Sequence, residues 1–215
     1  MGLELMQDLV LMPTPLQNKD SKLLLASGSF SRRKMLEEVG LDFEVRIADV
    51  NEDILKAAGK REGWNPEAVA LGLAEAKALS IQQPDAFVIG ADQMLSCDSV
   101  WYDKPKDLAQ AREQLLALRG NTHILHTAVV LCRNGQVVWQ HVDQPRLTMR
   151  LFSEPFLDAY LQAEGPACLA SVGAYRLEGP GLQLFAHIEG DAFSIQGLPL
   201  LPLLEALSEM KVIFY

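Results

Sequence analysis

Residues 22–36 read KLLLASGSFSRRKML, and this stretch decides the fold class of the chain. The apolar run at 22–26 ends in small residues, which is typical of a buried strand that meets a loop. From Ser31 onward the apolar residues recur at helical spacing, and Gly40 stands where the C-terminal cap of a helix belongs. A strand that passes directly into a helix predicts an α/β protein.

The remainder of the chain alternates between the same two kinds of pattern. Strand patterns cover residues 43–47, 87–92, 123–133, 136–144 and 181–189. Helix patterns cover residues 66–79, 107–118, 153–162 and 200–210. Asn134-Gly135 joins two of the strands and predicts a tight antiparallel hairpin. We therefore expect a mixed sheet flanked by helices, in a single two-lobed domain over residues 22–215, with residues 1–21 as an N-terminal extension outside the core.

The charge of the chain restricts its partners. The 28 Asp and Glu residues outnumber the 19 Lys and Arg residues, which gives a net charge of −9. Because binding to nucleic acid needs a basic face that neutralises phosphates, we expect no nucleic-acid partner. The sequence has no run of apolar residues long enough to span a bilayer, so we expect no membrane partner.

The cysteines and the first residues bear on the compartment. The three cysteines lie far apart, with no Cys-x-x-Cys spacing, which indicates neither a disulfide framework nor a zinc cluster. The opening MGLELMQDLVLMP lacks the basic start of a secretory signal and carries acids inside its short apolar stretch. These features favour a reducing, cytoplasmic location.

Three consecutive cations, Arg32, Arg33 and Lys34, follow the loop Ser-Gly-Ser at the start of the first predicted helix. Free backbone N–H groups and the positive end of the helix dipole favour an anion at such a turn, and arginine adds planar donors that suit phosphate oxygens. Cations at a helix start oppose the dipole, which is easier to explain when an anion binds there. The alternative is an ordinary N-cap followed by a solvated basic turn.

Three further charged residues are candidates for catalysis or phosphate binding. Asp92 follows the strand pattern FVIGA at 87–91, where ligands of open α/β sheets bind, and an acid there can hold a divalent cation or accept a proton from water. Lys104, stiffened by Pro105, and Lys77, in an alanine-rich helix pattern, can each reach a phosphate. The alternatives are a turn-forming Asp and lysines whose charges remain in water.

Five motifs follow one another along the chain: ASGSxxRR at 26–33, GADQ at 90–93, Lys-Pro at 104–105, VGAYxxEGxG at 172–181 and IEGDxxxxxGLPL at 188–200. Together and in this order, they resemble the Maf family of nucleoside triphosphate pyrophosphatases. The resemblance implies an elongated mixed sheet of the Maf and ITPase type, with a nucleotide-binding cleft between two lobes. It also implies hydrolysis of a nucleoside triphosphate between its α and β phosphates, giving the monophosphate and pyrophosphate, with Mg²⁺ or Mn²⁺ as the cofactor. A homodimer is in keeping with the same resemblance.

The resemblance assigns roles to individual residues. Asp92 matches the catalytic proton acceptor, and Glu52 joins Asp92 as a ligand of the metal. Asp191 matches a recurrent acid of the final loop that has no assigned role. Five residues are implied to bind the substrate phosphates: Ser27, Ser29, Arg32, Lys77 and Lys104.

Departures from the family pattern concern the base of the nucleotide. Members that prefer dTTP and UTP read SxSPRR, ADT and YGIQG, whereas this chain has Ser31 for the first arginine, Gln93 for the threonine and Glu178 for the glutamine. Gln93 and Glu178 resemble the branch that acts on 7-methyl-GTP, and a carboxylate at 178 can accept hydrogen bonds from guanine N1–H and the exocyclic amine. Phe30 replaces a proline, and Asp103 replaces a glycine. We therefore expect 7-methyl-GTP as the substrate, with UTP or CTP as further substrates.

The alternative hypothesis is a nucleotide-binding regulator of septum formation with weak catalysis or none, since the family has long been linked to septum inhibition. Phe30 and Asp103, which depart from the family pattern, are the residues that favour a loss of catalysis. Retention of Asp92, Glu52 and the matched cations argues for an active enzyme instead. Tight nucleotide binding without turnover across a broad substrate panel would favour the regulator.

Overall fold

The computed structural model describes residues 16–214. The strands in this range are β1 (Lys22–Leu25), β2 (Glu44–Val45), β3 (Ala86–Cys97), β4 (Val100–Tyr102), β5 (Thr122–Arg133), β6 (Gln136–Asp143), β7 (Arg146–Met149) and β8 (Phe185–Glu189). The α-helices are α1 (Phe30–Glu38), α2 (Glu52–Glu62), α3 (Pro66–Ser80), α4 (Leu108–Leu118), α5 (Glu154–Glu164), α6 (Ala192–Ile195) and α7 (Leu200–Glu209). Strands and helices alternate along the chain, so the predicted α/β class is confirmed.

All of these strands belong to one mixed sheet. The order across it is β2-β1-β3-β5-β7-β8, with β4 paired to β3 and β6 paired to β5. β1 runs parallel to β2 and β3, and the remaining pairs are antiparallel. The predicted hairpin joins β5 to β6, and both Asn134 and Gly135 have the positive φ angles that such a turn requires, 51° and 74°.

The two longest strands, β3 and β5, extend through both lobes of the domain. In the first lobe, α1 and α7 cover one face of the sheet and α3 covers the other. In the second lobe, α4 and α5 pack against the far ends of the same two strands, with Leu115, Leu125 and Leu157 among the buried residues. The core of the first lobe includes Leu36 from α1 and Leu73 from α3, both fully buried. The expected mixed sheet with flanking helices and two lobes is therefore present.

The prediction that the third strand ends at Asp92 is wrong. β3 continues to Cys97, and Asp92 lies opposite Ala128 in the middle of its antiparallel ladder with β5. The ladder continues because Met94 and Leu95 are buried, and a charged residue inside a strand does not stop the pairing. Asp92 therefore lies on a sheet face rather than in a loop beyond a strand end.

Three further elements differ from the sequence pattern. The helix α2 has no predicted counterpart, because Gly59 is its only buried residue and only the partly buried Leu55 packs from it against the core of the first lobe. The interval from Asp98 to Asp103, which carries neither a strand nor a helix pattern in the sequence, is a tight turn followed by β4. Pro180 opens a short 3-10 turn, which delays the last strand until Phe185.

The assigned N-terminal extension is only partly within the described range, since residues 1–15 lie outside it. Gln17 exchanges hydrogen bonds with the backbone of Asp42, and the Phe214 N–H donates to the Leu16 carbonyl at 2.7 Å. Within 16–214, no helix is long and apolar enough to cross a membrane.

Candidate active site

A cleft of about 490 Å³ separates the first lobe from residues of the second lobe at 167–178. It is bordered by the loop after β1, the start of α1, the start of α2 and the lysine that follows β4. Eight of the ten predicted site residues line it: Ser27, Ser29, Ser31, Arg32, Glu52, Lys77, Lys104 and Glu178. The folded chain thus brings together residues that are separated by up to 151 positions along the sequence.

Arg32 is fixed at the base of the cleft by the loop that precedes α1. Ser29 caps this helix and accepts a hydrogen bond from the Arg32 backbone N–H. The buried guanidinium donates from Nε to the Gly197 carbonyl at 2.7 Å and from Nη1 to Ser27 Oγ at 3.2 Å. Gly197 has a φ of 109°, a conformation that favours glycine, so the GLPL motif supplies a carbonyl that other residues would place with strain.

Burial and neighbouring charges act on Arg32 in opposite directions. Burial lowers the pKa of its guanidinium, whereas the charges of Asp92 and Glu52 raise it, and the net direction is below the usual value. A buried cation that lacks a direct carboxylate contact among the described residues is suited to an incoming anion. The other two consecutive cations differ, because Arg33 pairs with Glu37 and Lys34 with Glu38 along the exposed side of α1.

Lys77 lies between the two predicted carboxylates. Its Nζ is 2.6 Å from Asp92 Oδ1 and 2.7 Å from Glu52 Oε1, and its side chain is only 12% exposed. The contact depends on Gly90, since a Cβ there would lie 2.1 Å from the Ala74 carbonyl oxygen of α3. Glycine in the GAD motif therefore allows α3 to approach β3 closely enough for Lys77 to reach Asp92.

Glu52 and Asp92 form a donor set that fits a divalent cation. Burial raises the pKa of Glu52, but the hydrogen bond and charge of Lys77, together with the charges of Lys56 and Lys104, outweigh it, so the pKa of this carboxyl lies below its usual value. No cluster of three or more His, Cys, Asp or Glu side chains suited to a metal occurs within residues 16–214. Mg²⁺ is usually held by one or two carboxylates together with substrate phosphates, and Glu52 and Asp92, beside a cleft lined by cations, could supply the two carboxylates.

Lys56 is a charged residue of this region that the sequence reasoning missed. Its Nζ lies 2.7 Å from Asp103 Oδ1 and 3.7 Å from Glu52 Oε2. Burial lowers the pKa of Lys56, but the hydrogen bond that it donates to Asp103 and the charges of Asp103, Glu52 and Asp92 together outweigh burial, so the net direction is upward. The pair accounts for an acid next to Lys104 in an anion-binding cleft, because Lys56 neutralises it. The i, i+4 spacing of Glu52 and Lys56 is the signal that could have revealed the contact between these two residues.

We expect Lys56→Met to raise KM for a nucleoside triphosphate about tenfold, because it leaves the Asp103 carboxylate uncompensated beside the phosphates. Adding Asp103→Asn should return KM to within about twofold of wild type, since the paired charges are then both absent. Steady-state kinetics of the two single variants and the double variant check this. Arg61→Met, which removes an exposed cation from the same helix, serves as the control. A double variant as impaired as Lys56→Met would contradict the charge argument.

Lys104 borders the cleft directly before Pro105. The cleft walls remove water from its ammonium group and lower its pKa, and the positive charge of Arg32 adds to this effect. The carboxylates Glu52 and Asp92 oppose the shift without cancelling it. Lys104 therefore loses its proton at a lower pH than an ordinary lysine.

This shift predicts a pH dependence of substrate binding. As the pH rises through the lowered pKa of Lys104, the ammonium becomes neutral and KM for the triphosphate increases, with the rise beginning below the usual lysine value of 10.5. KM measured between neutral and alkaline pH checks the prediction. Lys104→Arg keeps the charge and should flatten the rise. An identical rise in that variant would assign the dependence to another group.

The predicted specificity residues do not all lie together. Ser31 Oγ donates to Glu178 Oε1 at 3.5 Å, so these two meet at the cleft. Gln93 lies on the opposite face of β3 from Asp92, and its amide donates to Thr127 Oγ1 and to the carbonyls of Ser194 and Ile195. Gln93 is absent from the residues that line the cleft within the described chain.

Two other residues complete the description. Asp191 caps α6 and accepts from the Ser194 backbone N–H, which is a structural role. Arg176 lines the cleft without having been predicted, and its guanidinium pairs with the buried carboxylate of Glu164 at 2.9 Å. That pairing leaves little uncompensated charge on Arg176.

Comparison with known proteins extends these observations. Residues 22–210 match the family described as Maf-like protein. A nucleoside triphosphate pyrophosphatase of Paramagnetospirillum magneticum is 55% identical over 188 residues, covering 86% of this chain and 97% of that protein. A 7-methyl-GTP pyrophosphatase of Rhizobium meliloti is 48% identical over 193 residues, covering 89% and 97%.

Among solved structures, a nucleoside-triphosphatase (dITP/XTP pyrophosphatase) of Mycobacterium abscessus aligns over 88% of this chain and 94% of its own, with a TM-score of 0.42 and 15% identity. The match to the family covers nearly the whole described chain and includes every motif on which the cleft depends. On this basis the chain belongs to the Maf family.

Proposed function

We propose that the protein hydrolyses a nucleoside triphosphate to the nucleoside monophosphate and pyrophosphate. The observation that carries the proposal is Lys77, held between Asp92 and Glu52 in one cleft with Arg32 and Lys104. Carboxylates that can activate water thus lie beside several cations that can bind a polyphosphate. The names of the relatives from P. magneticum and R. meliloti agree with this chemistry.

The cations of the cleft provide the binding energy. Arg32 and Lys104 bind phosphate oxygens, and Ser27 Oγ can donate to one because it already accepts from Arg32 and from the Ser29 N–H. Charge grows on the pyrophosphate leaving group as the bond to it lengthens, so the same cations stabilise the transition state more than the ground state.

Asp92 acts as the proton acceptor in this scheme. A water oxygen forms a bond to the α-phosphorus while its proton passes to the Asp92 carboxylate. The bond between the α-phosphorus and its bridging oxygen breaks, and the electron pair leaves with pyrophosphate. The burial of Asp92, 6% exposed, keeps bulk water away from the carboxylate.

Glu52 and Asp92 are the residues that would hold the divalent cation. When bound, such a cation neutralises phosphate charge and helps to orient the substrate. With a cation held by these two carboxylates, the ammonium of Lys77 would be free to bind a phosphate oxygen. In the absence of substrate, Lys77 thus neutralises the two carboxylates, Glu52 and Asp92.

We further propose 7-methyl-GTP as the preferred substrate, with UTP or CTP as weaker ones. Glu178 supports this choice, because its exposed carboxylate lines the cleft and Ser31 orients one of its oxygens. A carboxylate suits the donor edge of guanine and the positive charge of the N7-methylated base. Gln93 lends no support, since its amide is engaged on the other face of the sheet.

A substrate panel tests the proposed function. Purified protein with Mg²⁺ or Mn²⁺ is given GTP, 7-methyl-GTP, UTP, CTP and dTTP, and pyrophosphate is measured for each. We expect pyrophosphate from 7-methyl-GTP at the highest kcat/KM, and Glu178→Gln should reduce that value relative to dTTP. An unchanged ratio in Glu178→Gln would count against the base assignment, while tight binding without turnover throughout would favour the non-catalytic regulator.

A further inference from the structure

Phe30 is an aromatic residue that neither core uses. It is the first residue of α1, lines the cleft, and has 76% of its surface exposed. Ile47, also 76% exposed, borders the same cleft from the segment after β2. The cleft thus presents apolar surface beside its charged groups. Large exposed apolar side chains that border a cleft mark surfaces that receive a ligand.

Phe30 lines the same cleft as Glu178. Ser31, the next residue of α1, donates its hydroxyl to Glu178 at 3.5 Å. The proposed phosphate-binding role belongs to Arg32, Lys77 and Lys104, which line the cleft as well. The ring of Phe30 and the carboxylate of Glu178 therefore remain available for another part of the nucleotide.

These groups match the chemistry of one kind of base. An aromatic ring stacks on any nucleobase, and it attracts a base with delocalised positive charge more strongly through its quadrupole. A carboxylate accepts from the N1–H and exocyclic amine of a guanine and is attracted by the same positive charge. Arg176, the nearby cation, is already neutralised by Glu164 and does not repel such a base.

We infer that Phe30 is a specificity-determining residue that stacks on the base of the nucleotide, and that Phe30 and Glu178 together select a purine with a positive charge, such as an N7-alkylated guanine. The inference rests on the proposed function for the position of the phosphates. The specificity role that the sequence suggested for Gln93, which faces away from the cleft, is thereby assigned to Phe30, which lines the cleft.

Equilibrium binding of the product nucleotides tests the inference without catalysis. Calorimetric titration compares 7-methyl-GMP with GMP on wild type and on Phe30→Leu, which keeps apolar volume but removes the ring. We expect wild type to prefer 7-methyl-GMP. Phe30→Leu should weaken 7-methyl-GMP about tenfold and GMP about threefold, so that the preference falls. Phe30→Trp, with a stronger ring, should keep or increase the preference.

Controls separate this result from other effects. Leu151→Ala removes another exposed apolar side chain, 85% exposed and away from the cleft, and should leave both affinities unchanged. Equal affinities of wild type for the two monophosphates, or an unchanged preference in Phe30→Leu, would overturn the inference.

Pyrophosphate release from 7-methyl-GTP, measured in parallel, distinguishes failure of the inference from failure of the proposed function. If wild type releases pyrophosphate but Phe30→Leu keeps its preference, the base subsite is wrong and the function stands. If no triphosphate is hydrolysed but the preference falls in Phe30→Leu, the base subsite is right and the function is wrong.

Discussion

Asp92→Asn should lower kcat for pyrophosphate release by about 10² to 10⁴. The amide keeps the size of the side chain but cannot accept the proton of the attacking water, and it removes one carboxylate from the pair around Lys77. Because Arg32 and Lys104 remain, KM should change much less than kcat. Coupled pyrophosphate assays on the two proteins at matched metal concentration measure both parameters.

Asp53→Asn is the matched control for this change. Asp53 is exposed on α2 beside Glu52 and does not line the cleft. Its substitution therefore removes the same charge from the same region without changing a residue of the cleft. Its kcat should stay close to that of wild type. Comparable loss in the two variants would mean that net charge, rather than the Asp92 carboxylate itself, governs the rate.

Arg32→Lys should lower kcat/KM by about 100-fold, with effects on both kcat and KM. A lysine cannot donate to the Gly197 carbonyl and to Ser27 while also offering planar donors to a phosphate. It would also leave a buried carbonyl without its donor, so the thermal midpoint should fall as well. Kinetics and a thermal melt on each variant record the two effects separately.

Arg33→Lys provides the comparison within the same pair of arginines. Arg33 is exposed and pairs with Glu37, a contact that a lysine can keep. Its kinetics should match those of wild type. If Arg32→Lys also left kcat and KM unchanged, Arg32 would not be the phosphate-binding residue of the loop.

Local signals in the sequence were sufficient for much of the fold. Asn65 caps α3 and Asp107 caps α4, as their patterns indicate, because short polar side chains satisfy the free N–H groups of a first turn. Asn134-Gly135 sets the hairpin because both residues accept a positive φ. These signals depend on a few adjacent residues, which is why one sequence suffices to read them.

The limits of the sequence lie in contacts between distant residues. Asp92 interrupts an apolar run, which suggested a strand end, but pairing with β5 carries the strand past it. The Lys56–Asp103 contact spans 47 residues, and no local pattern specifies it. Successive residues of a strand face opposite sides of the sheet. If Asp92 is assigned to the strand rather than to its end, the sequence alone therefore predicts that Gln93 faces away from Asp92.

The identity of the reaction products shows which phosphate bond the protein hydrolyses. We propose to follow the hydrolysis of 7-methyl-GTP by phosphorus-31 NMR with the wild-type protein and a divalent cation. Cleavage between the α and β phosphates predicts equal amounts of 7-methyl-GMP and pyrophosphate as the first products. Orthophosphate and a nucleoside diphosphate as the first products would contradict this cleavage.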